Sequence, residues 1–196
     1  FVRQEPKLTS LPLVLYGHSV GGYASLAAIN DRPEEIAAVV SMGAFEAPAK
    51  TMHYHAKQYV GILADIEYPF LCFHNWMLFG NDANESAIDA INSTDIPILI
   101  IEGSDDKIVP KDISIGNRLG DITNPNVSYI EIDDDGRNGH STMWLSADAA
   151  EYGAKLYALI EQDDTAELDI DRLRAHSVDE ELMNCVLSLF NEAAKG

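Results

Sequence analysis

The chain of 196 residues is poor in basic residues, nearly without cysteine, and has no long apolar run. Only 13 Lys and Arg stand against 32 Asp and Glu, a formal net charge of −19. That balance argues against nucleic acid or an anionic membrane surface as a partner, because a phosphate backbone would be repelled. Two cysteines, Cys72 and Cys185, cannot build a disulfide framework, and unpaired thiols are the expectation. No apolar run reaches the ~18 residues of a spanning helix, so no stable membrane insertion is expected. The opening FVRQEPKLTS does not resemble a secretory signal; it is charged and has the character of the middle of a domain. Any signal would precede residue 1, so the compartment stays open, with the cytoplasm favoured. Repeats and low-complexity segments are also missing.

What remains is ordinary globular composition, 46% hydrophobic and 23% charged, with length enough for one domain over residues 1–196 and a real core. Much of the acid falls between Glu161 and Glu192 (Asp163, Asp164, Glu167, Asp169, Asp171, Asp179, Glu180 and Glu181) and reads as a solvated surface.

Short apolar runs without alternation mark strands buried on both faces, as in a parallel sheet. Leu11–Tyr16 (LPLVLY), Ile36–Met42 (IAAVVSM) and Ile98–Glu102 (ILIIE) have this character. Val127–Ile132 (VSYIEI) alternates more, as an edge strand would. Helical stretches fall between them: the small-residue run Tyr23–Asn30, a segment near Lys111–Leu119, and Ala147–Ile160. Residues 1–10 are a helix end or a loop. Strands alternating with helices predict an α/β fold with a mostly parallel sheet. Residues 46–94 interrupt the alternation with an aromatic-rich, helical insertion, expected to lie as a cap over the C-terminal edge of the sheet. Residues 162–196 form a helical extension. There Ser177 and Glu180 have capping-box spacing, and Leu182, Met183, Val186, Leu187 and Phe190 make one apolar stripe.

Gly17-His18-Ser19-Val20-Gly21 sits between the first strand and the small-residue helix. A nucleophilic serine needs such a place: a sharp strand-to-helix turn, with flanking glycines that let neighbouring backbone pack closely. The helix N-terminus behind it offers an N–H and a positive dipole end to a developing oxyanion. By composition alone G-x-S-x-G arises in roughly one chain in twenty of this length; its placement makes chance less apt. A serine hydroxyl also needs a base to take its proton, and the base an acid to orient it. GSDDKIVP follows the third strand and brings Asp105 and Asp106; DDDGRNGHS follows the fourth and brings His140. A carboxylate just past a strand's C-terminal end faces the same crevice as the serine.

GHSVGG, GSDDKIVP and NGH together resemble the three signatures of the α/β-hydrolase superfamily, in its serine-aminopeptidase and monoglyceride-lipase-like esterase branch. The resemblance covers roughly residues 11–160. It implies Ser19 as nucleophile, His140 as base and, through the pattern Gly-x-x-Asp-x-x-Val-Pro, Asp106 as the orienting acid, with Asp105 the runner-up. It also implies the backbone N–H of Val20 as half of an oxyanion hole, an acyl-enzyme, a small-molecule carboxylic ester (acyl or lipid-like) as substrate, and no cofactor. Peptidase and acyltransferase activities stay open, since the triad does not choose the acyl acceptor.

One departure matters. Such hydrolases carry several strands ahead of the nucleophile turn, and the second oxyanion N–H sits on a loop after one of them. Only about ten residues precede Leu11 here, so the chain resembles the second half of the fold, apparently lacking its N-terminal strands. An unpaired edge near Leu11 is then expected, through which a homo-oligomer could form. The same departure supports a second reading, a non-catalytic module of this fold that binds a ligand or partner.

His18, Phe73, His74, Trp76 and Met77 are the candidate substrate-pocket residues, with packing roles the alternative for each. His53 and His55 have no evident third ligand nearby, and Asp133–Asp135 lacks calcium-loop spacing, so no metal site is expected.

Overall fold

A computed structural model describes residues 5, 8, 11–162 and 169–195. Most of residues 1–10, and Asp163, Asp164 and Glu167 of the acidic run, lie outside the described residues. Four strands, β1 (Leu13–His18), β2 (Ile36–Met42), β3 (Ile98–Gly103) and β4 (Val127–Ile132), pair in the order β1-β2-β3-β4, every pair parallel. The first strand starts two residues later than the apolar run and continues through His18. Pro12, without an N–H, cannot donate to a ladder. At the far end Ser19 N–H donates to Met42 O at 2.8 Å.

The central strands lack polar alternation because both faces are covered. Val39, Ile98 and Ile100 point to one side and pack with Leu26 and Ile29 of α1 (Val20–Asp31) and with Ile88 and Ile91. Val40, Met42, Leu99 and Ile101 point to the other and pack with Met143, Leu182 and Val186. Each strand thus sends alternate residues into two separate cores, and only an apolar run satisfies both. β4 is the outer strand beyond β3, and its intermittent exposure matches its alternating sequence. β1 lies at the opposite margin, hydrogen-bonded to β2 alone among the described strands.

The insertion forms α2 (Pro48–Val60), α3 (Leu63–Phe79), a 3-10 turn (Gly80–Asn84) and α4 (Ala87–Asn92). The last belongs to the body, packing on α1. α2 and α3 form a hairpin packed chiefly on itself, pinned where Asp65 accepts from Lys57 Nζ (3.0 Å) and lies 2.8 Å from His53 Nε2. The stretch near Lys111–Leu119 is not an α-helix. It is two 3-10 turns, Lys111–Ile113 and Gly116–Asp121, because the buried Glu102 carboxylate captures Ser114 Oγ and the Gly116 N–H and draws that backbone out of helical pairing.

α5 (Ala147–Gln162), α6 (Arg172–Ala175) and α7 (Glu180–Ala193) complete the described chain. The capping box does not form. Asp179 is the N-cap of α7, accepting from Leu182 N–H at 2.9 Å, while Ser177 bonds Ser146 instead. Asp179 wins because it immediately precedes the first helical residue. The buried stripe differs by one position. Leu182 and Val186 are buried and Met183, Leu189 and Phe190 pack beside them, whereas Leu187 faces out.

Asn124 fastens the entry to β3 and β4. Its buried amide donates to Ile91 O (3.3 Å) and Ile96 O (3.2 Å), and its oxygen accepts from Asn126 N–H (2.8 Å). Asn124→Ala leaves those buried groups unpaired and should cost about 1–3 kcal/mol. Urea unfolding should show a lower midpoint with an unchanged slope; an unchanged midpoint would remove Asn124 from the stabilising set.

Candidate active site

Ser19 occupies the turn from β1 into α1 with φ 57° and ψ −122°, the sole described residue other than glycine with positive φ. A side chain there carries strain of ~1–3 kcal/mol and persists only where the surroundings over-determine it. The β1–β2 ladder on one side and the packed helix on the other do so. Gly17 is sterically required, since a Cβ would lie 2.1 Å from Gly21 O. Gly21 is not required in that way: a Cβ on it would meet nothing within 4 Å. Ser19 is the N-cap residue of α1, yet its Oγ makes no capping bond and is left for another partner. Val20 N–H is among the first amides of α1, which lack intrahelical acceptors.

That partner is His140, whose Nε2 lies 2.9 Å from Ser19 Oγ. His140 Nδ1 lies 2.6 Å from Asp106 Oδ2. A carboxylate oxygen can only accept, so Nδ1 carries the proton and Nε2 is free to accept from the hydroxyl. Asp106 is buried, and its other oxygen accepts from the N–H groups of Ile108 and Val109, each at 2.8 Å. These bonds use the turn GSDDKIVP to aim the carboxylate. Asp105, the neighbouring candidate, is exposed and pairs with Lys107. Three loops at the C-terminal ends of β1, β3 and β4 therefore meet at one point. As an assembly, the three side chains can relay a proton away from a serine oxygen and hold the resulting imidazolium.

His18 joins this group by a contact the sequence did not suggest. Its Nε2 lies 2.8 Å from the backbone oxygen of His140, and the two rings are 4.6 Å apart. Gly43, with φ +56°, lies beside both rings: a Cβ there would stand at ordinary contact distance, 3.5 Å, from His140 Nδ1 and His18 Cδ2.

The histidine loop is also tied from behind. Arg137 donates to Asp134 Oδ2 (3.1 Å) and to Asp179 Oδ2. Asp179 N–H donates to Trp144 O, and Ser146 N–H to Ser177 O, both at 2.9 Å. The entry to α7 is thus stitched to both sides of His140. Sequence reasoning overlooked Arg137 and Asp179. The available signal was a lone cation two residues after the acidic run Asp133–Asp135.

The insertion does not supply the expected pocket. Phe73, His74, Trp76 and Met77 all lie on the exposed surface of α3, Met77 with 65% of its area open, and Phe73 stacks on Trp76 rather than facing Ser19. The reason is that the hairpin pairs with itself and stands off the sheet. A separate apolar groove of about 590 Å³ runs between α5 and the histidine loop, lined by Thr142, Trp144, Gly153 and Tyr157 among others, and none of Ser19, Asp106 and His140 lines it. Among the described residues no group of three His, Cys, Asp or Glu is placed to hold a metal ion.

Asp179 generates a pH prediction. The Leu182 N–H first, and the Arg137 guanidinium after it, hold its carboxyl below the ordinary carboxylate range. A folded-state value below the unfolded one gives stability that is present above the unfolded value of ~3.9 and is lost as pH falls through the depressed one. Urea midpoints measured from pH 7 down to pH 2 should fall along that limb, and Asp179→Asn should lower the pH 7 midpoint and flatten the limb. Equal acid limbs in both proteins would contradict the linkage.

No protein-family model and no curated protein sequence matches the chain. Solved structures do. An esterase from Pyrococcus furiosus superposes with a TM-score of 0.50 at 16% identity, covering 82% of this chain and 57% of that one. An acylaminoacyl peptidase from Pyrococcus horikoshii gives a TM-score of 0.50 at 16% identity, covering 87% of this chain and 27% of that one. The chain thus spans a little over half the length of that esterase. With its parallel sheet, flanking helices and serine at the strand-to-helix turn, the chain has the α/β-hydrolase fold.

Proposed function

We propose that the protein is a serine hydrolase that cleaves a carboxylic ester through an acyl-enzyme. The observation that carries this reading is the 2.9 Å approach of Ser19 Oγ to His140 Nε2, with Asp106 2.6 Å behind the other ring nitrogen. Ser19 Oγ attacks the substrate carbonyl while His140 Nε2 takes its proton. The imidazolium so formed keeps its Nδ1–H on Asp106, whose charge is fixed by two backbone N–H groups. The tetrahedral oxyanion lies near the N-terminus of α1, where Val20 N–H donates to it. Collapse of that intermediate expels the alcohol, which takes its proton from His140. Water then attacks the acyl group with His140 again as base, and Ser19 is released.

Hydrolysis of a series of p-nitrophenyl esters from acetate to decanoate tests the reading. The protein should release p-nitrophenol with saturation kinetics, and Ser19→Ala and His140→Ala should each lower kcat by about a thousandfold or more. Turnover that survives Ser19→Ala would refute the assignment. Faster cleavage of the matching anilides than of the esters would move the reading to a peptidase.

A further inference from the structure

Ser19 and His140 lie 121 residues apart, on separate loops whose relative placement decides whether the proton can pass between them. Their own hydrogen bond cannot fix that placement, because it is broken and remade in every proton transfer. The geometry offers another link. His18, adjacent to Ser19 in the chain, reaches across with its imidazole and ends 2.8 Å from the main-chain oxygen of His140. A carbonyl accepts only, so His18 Nε2 carries a proton and donates it. Two rings neighbour it, His140 at 4.6 Å in a tilted contact and Trp144 at 4.8 Å in an edge-on one.

We propose that His18 is a positioning residue that sets the distance between the serine and the histidine by holding the His140 main chain through its Nε2–H. This rests on the serine-hydrolase reading above. His18 does not touch the reacting atoms. It acts through His140, whose carbonyl it fixes while the side chain stays free to exchange a proton with Ser19. Burial holds the His18 imidazole below its ordinary value, outweighing both the hydrogen bond that His18 donates to the His140 main chain and the attraction of the Asp106 carboxylate, with the His140 ring acting in the same sense as burial. The neutral form with Nε2–H suffices for the role. It also keeps a second cation away from the imidazolium that His140 becomes.

The test uses the second-order rate of covalent labelling by a small fluorophosphonate, which needs an activated Ser19 but little of a substrate pocket. Three variants separate the donor from the ring. His18→Gln places an N–H at about the reach of Nε2; His18→Asn has an N–H that stops short; His18→Phe keeps the ring and has no donor. Labelling should fall roughly 10–100-fold in His18→Asn and His18→Phe, the scale of a small misplacement of reacting groups. In His18→Gln it should stay within about threefold of the parent. A His18→Phe or His18→Asn protein that labels at the parent rate overturns the proposal. So does a His18→Gln protein as slow as His18→Phe, since the ring and not its N–H would then matter. If His18→Phe does not fold, His18→Asn against His18→Gln decides.

A second reading is independent of labelling. The His140 Nδ1–H resonance, followed in protein with ¹⁵N-labelled histidine, should stay sharp in the parent and in His18→Gln and broaden in the other two. Equal line widths in all four proteins overturn the proposal. A parent protein that takes no label at all would instead sink the serine-hydrolase reading, while the resonance still judges the role of His18.

Discussion

Parallel pairing of four strands is the constraint on which the rest depends. A parallel sheet sends every strand's C-terminal end to the same margin, so the loops that follow β1, β3 and β4 are brought together whatever their separation in sequence. The ladder also carries the strained Ser19, because Ser19 N–H extends the pairing to Met42 O before the chain turns into α1. In return the sheet demands cover on both faces. α1 and α4 close one face, and α7 with Met143 closes the other. The second of these couples core and site: α7 is both a wall of the core and, through Asp179, the anchor of the histidine loop. Core packing and loop placement thus share one helix.

The site has two kinds of support, and they differ in chemistry. Asp106 is aimed by backbone donors of its own turn, a local device that needs only the sequence Asp-x-Ile-Val. His140 is supported differently, its local turn bonds joined by long-range ones. Its loop contains Gly136 and Gly139 and is held by remote groups, with Arg137 reaching Asp179 and His18 reaching the His140 carbonyl. His140, the proposed base, is steadied through its main chain while its side chain keeps freedom to exchange a proton. Asp106, the proposed acid, is fixed at the carboxylate itself.

Features that depend on local chemistry were legible in the sequence. Unbroken apolar runs located β2 and β3, since a strand covered on both faces has no polar alternative. The glycine-flanked Ser19, the turn around Asp106 and the Gly-containing loop around His140 each carry their geometry in neighbouring residues. Features set by tertiary contact were not legible. The segment from Lys111 is helical by composition but is pulled into 3-10 turns by the Glu102 carboxylate, a partner on another strand. Ser177 has the right spacing for a cap but is taken by Ser146. The pocket expected from Phe73, His74, Trp76 and Met77 failed for a similar reason. An aromatic-rich stretch says that a surface is apolar, and not which way it faces. His18 and Arg137 were invisible as supports because their partners are a main-chain oxygen and a carboxylate more than forty residues on.

The proposed nucleophile is one serine, held in strain at the β1–α1 turn. Peptide mapping by mass spectrometry after reaction with a fluorophosphonate locates it. One phosphonyl group per chain is expected, on the peptide that contains Ser19, and none once the protein is unfolded before reaction. An adduct on any other serine, or equal labelling of folded and unfolded chains, would contradict it.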